Sequence, residues 1–254
     1  MEDKLIGVIS ASTNIEPSDI KYEVEMLDFS SRLFSELEKE KVPFYLFGGT
    51  ALNKGFFGGR QRLSKDLDIE LDRRGFDNTA RKFESIIIRI GYPNFRAEKY
   101  GGRCALHVYI GKNIDEIKID ITPQKNTIKG ERVTLHSVLE YAGIPVKTVD
   151  VMSYPFEYLL AYKVSALQRR MLYKDIYDTY IGLQLGLDAS KFMRYLGKFG
   201  NPKGILNEIM LRIDDGEYDA KDELNYSKLV QERYKVSMKN MLYEIKAKFI
   251  TILK

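Results

Sequence analysis

Apolar positions recur along this chain at two periods, and the switches between them outline an α+β protein. Val24, Leu27, Leu33, Phe34 and Leu37 fall near helical spacing, predicting a helix over 18–41 that Ser18 caps and Pro43 ends. Phe44 to Phe47 is a short apolar strand feeding Gly48-Gly49, and Thr50 to Phe57 reads as a short helix behind it. After a Gly58-Gly59-Arg60 turn the period becomes two, with Leu67, Ile69 and Leu71 alternating with Asp66 and Asp68. A helix over 77–90 follows, its inner stripe made of Phe83, Ile86, Ile87 and Ile90. Two strands come next. Cys104, Leu106, Val108 and Ile110 alternate with Arg103, His107 and Tyr109; Ile117, Ile119 and Ile121 alternate with Lys118 and Asp120. Gly111-Lys112-Asn113 between them signals a hairpin, so this half of the sheet should be antiparallel. Residues 143–155 carry two prolines and read as a passage, after which every period is helical. In the terminal helix Leu229, Val230, Met241, Leu242, Ile245, Phe249 and Ile252 share a side. The expectation is a sheet-bearing domain over 1–150 and a helical domain over 151–254.

Composition narrows the class. Hydrophobic content of 44% and charged content of 30% are ordinary for a globular protein. No run of about 18 or more apolar residues predicts a membrane span, and the N-terminus does not read as a signal peptide. The single cysteine, Cys104, fits a reducing cytoplasm and reads as packing rather than as a nucleophile. A net charge of +4 names no partner, but residues 225–254 hold seven Lys/Arg against two Glu. That helix either tracks phosphates or presents a solvated face.

The chemistry-bearing residues gather after the double glycine. Gly48 and Gly49 let backbone approach a phosphate, and the N–H groups of a following helix point at anions. On a strand, Asp66 and Asp68 share one face, and Asp120 stands on the polar face of a neighbouring strand. Three carboxylates suit Mg2+ or Mn2+, which prefer oxygen ligands; two such ions about 4 Å apart activate a hydroxyl and neutralise leaving pyrophosphate. Thr50 and Ser64 offer hydroxyls near the expected triphosphate, or act as a helix cap and a strand-edge hydroxyl. Arg60 and Arg62 pair with phosphate or face solvent, and Arg62, two residues from Ser64, is the better candidate. Downstream, Lys163 and Arg170 share a helix face, and Lys163 is set among Tyr158, Leu159, Leu160, Val164 and Leu167. Its ammonium either reaches a triphosphate or snorkels. Asp175 and Asp178 orient Lys163 or Arg170, or form a helix N-terminal charge cluster. With only His107 and His136, zinc is poorly supported. No Walker-type loop and no Gly-x-Ser-x-Gly elbow occur.

Taken together, Gly48-Gly49-Thr50-Ala51-Leu52, Arg62-Leu63-Ser64-Lys65-Asp66-Leu67-Asp68, Lys118-Ile119-Asp120 and Lys163 through Lys174-Asp175-Ile176-Tyr177-Asp178 resemble the AbiEii/AbiGii toxin-like nucleotidyltransferases. These belong to the polymerase-β-like nucleotidyltransferase superfamily. The resemblance spans about residues 44–185. It implies a mixed-sheet catalytic domain, then a helical domain, with the nucleotide in the cleft between. It implies magnesium on Asp66 and Asp68, Ser64 beside the triphosphate, Lys163 on phosphate, and Asp175 completing the last motif. Asp120 matches the superfamily's third carboxylate, which activates the acceptor hydroxyl. Thr50 stands where the superfamily often has serine, and the gap from Gly49 to Asp66 is long. Characterised toxins of the family transfer nucleotides, in some cases to the 3′ end of tRNA, and a cognate antitoxin neutralises them.

The expected function is therefore a metal-dependent transfer of an NMP from an NTP to an acceptor hydroxyl, by preference an RNA (tRNA) 3′ end. Protein nucleotidylation of the AMPylation type is the next candidate. The rival from another class is a non-catalytic nucleotide- or RNA-binding module, against which the intact carboxylate set argues, because idle like charges cost stability.

Overall fold

The computed structural model describes residues 3–73, 76–110, 115–124, 128–140, 143 and 146–254. The helices ahead of residue 90 are α1 (Asp3–Thr13), α2 (Pro17–Lys39), α3 (Gly48–Phe56) and α4 (Phe76–Arg89), the last burying the predicted Phe83, Ile86 and Ile87. α2 starts on Pro17 with Glu16 at the cap, not on Ser18. Proline at the first helical position brings a preset φ and lacks an N–H that would have no helical partner there. The predicted stripe of α2 is buried at Leu27, Leu33, Phe34 and Leu37, and Phe29 and Met26 extend it.

Seven strands form one sheet among the described residues, in the order β3-β4-β5-β2-β1-β7-β6. They are β1 (Phe44–Phe47), β2 (Asp66–Leu71), β3 (Phe95–Tyr100), β4 (Arg103–Ile110), β5 (Asp115–Pro123), β6 (Glu131–Leu135) and β7 (Val149–Ser153). The sheet is mixed. β2 runs parallel to β5 and β1 parallel to β7, and the other neighbours are antiparallel. As expected, β4 and β5 are antiparallel; the hairpin residues 111–113 lie outside the described residues.

Register sorts the side chains. Leu67 and Ile69 of β2 lie beside Ile119 and Ile121 of β5, which face Leu106 and Cys104 of β4. All six are buried, giving the sheet one apolar face, while Asp66, Asp68, Lys118 and Asp120 share the other. Cys104 is packing, as expected: burial raises its thiol pKa and keeps it protonated.

Three strands do not follow from the predicted periods. β3 and β6 are the sheet edges, and β7 lies within the stretch read as a passage. β7 extends the sheet past residue 150, and helices begin at α5 (Phe156–Arg169). α6 (Tyr173–Gln184), α7 (Ala189–Leu196), α8 (Pro202–Asp214), α9 (Ala220–Tyr226) and α10 (Met238–Leu253) follow. Leu229 and Val230 do not belong to the terminal helix. They precede it, Val230 bridging Arg62 in antiparallel fashion while the Leu63 N–H donates to the Leu229 carbonyl at 2.9 Å.

α3 (Gly48–Phe56) packs on α5, which packs on α6, α7 and α8. One continuous apolar cluster runs from the sheet into these helices, fixing the two walls of the site against each other. Among the described residues no helix is long and apolar enough to cross a membrane.

Candidate active site

The β1–α3 turn is built around one close approach. Gly48 has φ +74°, a left-handed conformation that glycine alone adopts freely. A Cβ there would lie 2.0 Å from Asp68 Oδ2, so the glycine is the space the carboxylate occupies. A Cβ on Gly49 would meet Arg62 Nη2 at 3.0 Å and Lys163 Nζ at 3.3 Å. The double glycine thus meets the carboxylates on one side and the cations on the other.

β2 and β5 bring the acids together. Asp68 pairs in register with Asp120, and Asp66 with Lys118. Burial of Asp68 raises its pKa to about 6; Lys163 pulls it down, and Asp66 and Asp120 push it up. Lys118 Nζ donates to Asp120 Oδ2 at 2.8 Å. Burial lowers the Lys118 pKa, and the bond to Asp120 more than reverses this.

The two hydroxyls form a relay into the same strand. Thr50 Oγ1 lies 2.8 Å from Ser64 Oγ and also bonds the Asp66 carbonyl. One proton per hydroxyl is satisfied if Ser64 donates to Thr50 and Thr50 donates to the carbonyl. Both residues are buried, so the pair ties the α3 start to the segment that delivers Asp66.

On the helical side the hub is Asp178, fully buried on α6. Arg62 grips it with two parallel bonds, Nε to Oδ1 at 2.9 Å and Nη2 to Oδ2 at 2.8 Å. Asn53 Nδ2 donates to Asp178 Oδ1 at 2.8 Å, and Lys163 Nζ lies 3.0 Å from Oδ2. Lys163 also donates to Asp175 Oδ1 at 3.0 Å, and Arg170 Nε donates to Asp175 Oδ2 at 2.8 Å. Burial alone would raise the Asp178 pKa, yet Arg62 and Lys163 hold it below the usual carboxylate range. Burial likewise disfavours charge on Arg62 and Lys163, and Asp178 more than restores it. Of the alternatives for Asp175 and Asp178, orientation matches the contacts: both hold Lys163, and Asp175 also holds Arg170. Arg62 Nη1 donates to the Leu63 carbonyl at 3.1 Å, so the guanidinium is engaged on all three nitrogens and acts as a brace. The brace spans 116 residues of sequence, and Asn53, which accepts the Arg62 backbone N–H at 3.0 Å, gave no sequence signal at all.

Between these walls lies a cleft of about 900 Å³. Gly49, Arg62, Ser64, Asp66, Asp68, Asp120 and Lys163 line it, so most predicted site residues meet there. Gly48 and Thr50 stand behind its surface, and Asp175 is wholly buried beneath Lys163. Arg169, Arg170, Lys174 and Lys198 complete the helical wall. Among the described residues Arg169, Lys174 and Lys198 have no ion-pair partner. None of α10 lines the cleft: its buried Met241, Leu242, Ile245 and Phe249 face inward, and it packs on α6 and α8.

Among the described residues no three His, Cys, Asp or Glu side chains are already gathered around one point as a metal site. The donor chemistry nevertheless fits a hard divalent cation. Asp66, Asp68 and Asp120 are all-oxygen donors on one sheet face; burial first, and the other two carboxylates after it, make Asp68 protonation-prone, and a cation relieves the repulsion among the three.

No curated protein matches this chain in sequence. Solved structures do. The nucleotidyltransferase toxin MenT4 (Rv2826c) of Mycobacterium tuberculosis H37Rv superposes with a TM-score of 0.66 at 16% identity, over 100% of this chain and 90% of that one. JHP933 from Helicobacter pylori gives 0.57 at 15% identity, over 94% and 93%. At such identities the likeness establishes the fold. The family described as nucleotidyl transferase AbiEii toxin, type IV TA system, matches residues 32–253, well beyond the span of the motifs. A match over so much of the sequence makes the assignment: the chain belongs to the AbiEii family of nucleotidyltransferase toxins of type IV toxin–antitoxin systems.

Proposed function

We propose that this enzyme transfers an NMP from an NTP to a terminal hydroxyl of RNA, with the tRNA 3′ end as the preferred acceptor. The observation that carries this reading is the pairing of two walls. Asp66, Asp68 and Asp120 stand on the sheet, and Arg169, Lys174 and Lys198 face the same cleft with no ion-pair partner among the described residues. Cations left uncompensated suit a polyanion, and the triphosphate supplies one.

Asp66, Asp68 and Asp120 would hold Mg2+ or Mn2+, which when bound lowers the barrier by neutralising charge on the reacting phosphates. Lys163 has three donors and gives two to Asp175 and Asp178, leaving one for a phosphate oxygen. Gly48, Gly49, Thr50 and Ser64 shape the turn on which the triphosphate rests, and Arg62 braces it. The acceptor oxygen attacks the α-phosphorus, the bond to the β-phosphate oxygen breaks, and pyrophosphate leaves. The hydroxyl proton passes to the Asp120 carboxylate. Charge develops in a site whose dipoles and cations are already placed. The reading puts the protein in the cytoplasm, where NTP and RNA meet, with a cognate antitoxin protein as its partner.

The test is incubation of pure protein with magnesium, each α-labelled NTP in turn and total tRNA. Label on RNA from wild type, and none from Asp68→Asn, is the expected result. Label on protein instead would move the acceptor to a protein hydroxyl; label on neither would overturn the reading.

A further inference from the structure

The cleft does not end at Asp120. It continues over the polar faces of β5, β4 and β3 towards an open sheet edge. Tyr100 and Arg103 are cross-strand partners and so share one face. Ala105, two residues from Arg103 on the same face, stands directly opposite Asp120. Tyr100, Arg103 and Lys118 all line the cleft. Tyr100 is 49% exposed despite its size. Arg103 is exposed and has no ion-pair partner among the described residues. Lys118, by contrast, is engaged with Asp120.

We propose that Tyr100 and Arg103 form the acceptor subsite, taking the last nucleotides of a single-stranded RNA 3′ end. The proposal rests on the RNA-acceptor reading above and assigns its residues. An exposed phenol ring offers a face on which any base stacks, and a free guanidinium offers a planar fork to the adjoining phosphate. Both lie on the Asp120 side of the cleft, so a strand seated on them presents its terminal hydroxyl to that carboxylate. The unpaired cations of the helical wall, Arg169, Lys174 and Lys198, lie across the cleft and serve the triphosphate. Donor and acceptor, both polyanions, thereby enter from opposite walls. β3 is the sheet edge and exposed along nearly all of its length, so the rest of the RNA leaves into solvent without obstruction.

The test uses the full chain and a short, fluorescently labelled single-stranded RNA with a blocked 3′ end, so that binding is read without turnover. Tyr100→Ala and Arg103→Ala should each weaken RNA binding about tenfold, while Tyr100→Phe binds like wild type. Arg103→Ala should also reduce the slope of log affinity against log salt by ~0.7. NTP binding, followed separately by fluorescence of a labelled nucleotide, should stay unchanged in all three. If wild type binds the RNA and both alanine variants bind it equally well, the subsite is refuted while the RNA-acceptor reading stands. If wild type neither binds RNA nor labels it, the acceptor reading fails and the subsite falls with it.

Discussion

Gly48 and Asp68 are fitted to each other: the carboxylate Oδ2 stands 2.0 Å from where a β-carbon on the glycine would be. The strand register explains the meeting, because Phe47, the last residue of β1, pairs with Asp68. The chain must therefore turn beside a carboxylate, and it does so with φ +74°.

Gly48→Ala should lose on two counts. A left-handed alanine costs roughly 1–2 kcal/mol, and its methyl group displaces Asp68. The expected result is a folded protein of lower thermal midpoint whose magnesium-dependent label transfer is gone. Circular dichroism melts beside the transfer assay would check it; an active Gly48→Ala enzyme would show that Asp68 can move without consequence.

Asp178 makes a prediction about stability. It is fully buried and holds Arg62 and Lys163, themselves nearly inaccessible. Asp178→Ala leaves two buried cations short of a partner and should cost about 3–5 kcal/mol. The midpoint of urea unfolding reads this directly. Arg62→Ala combined with Asp178→Ala should cost less than the two losses added together, since each single change strands the other's charge.

How far this site could be foreseen follows from which contacts are local. The glycine turn, the Asp66/Asp68 face and the Lys118-Ile119-Asp120 strand are each set within a few residues, and period alone exposes them. The Arg62–Asp178 brace is a tertiary event between a loop and a helix, so Asp178 looked equally like a helix-terminal charge. β3 was invisible for another reason. Phe-Arg-Ala-Glu-Lys-Tyr has no apolar alternation because an exposed edge strand is kept charged against pairing with other chains. β7 does alternate, but flanking prolines disguised it, and its partners are non-local: it pairs antiparallel with β6 along its whole length and parallel with β1, far away in sequence.

Asp68 predicts a pH dependence with a definite sign. Its pKa is raised to about 6 from an ordinary 3.8, so the folded state binds this proton more tightly than the unfolded chain. Its contribution therefore favours folding below about pH 4, weakens as pH rises through 6, and at neutral pH is a cost of up to about 3 kcal/mol. Asp178, held low, acts in the opposite direction, being favourable at neutral pH and lost in acid. Subtracting the two profiles isolates Asp68: metal-free Asp68→Asn should be more stable than wild type at pH 7.5, and the gap should close towards pH 4. Magnesium should stabilise wild type at pH 7.5 and progressively less below pH 6, with no effect on Asp68→Asn. A gap that stays constant across the range would mean that Asp68 titrates normally.

Lys174, Lys198 and Arg169 separate binding from folding. Each lines the cleft, and none is held by an ion pair among the described residues, so removing one strands no partner. Alanine at any of the three should leave the unfolding midpoint within about 0.5 kcal/mol of wild type. Loss of a charge-assisted bond to a phosphate is worth about 1.5–3 kcal/mol, hence a tenfold or greater rise in KM for NTP. Lys163→Ala supplies the contrast. Its ammonium is shared between Asp175 and Asp178, so the same substitution there should lower stability and activity together. Nucleotide titration and unfolding curves on the four variants give two numbers for each. If Lys174→Ala and Lys198→Ala bound NTP as tightly as wild type, the triphosphate would have to lie away from the helical wall. The two polyanions could not then enter from opposite sides, and the carboxylates would have to receive both from the sheet.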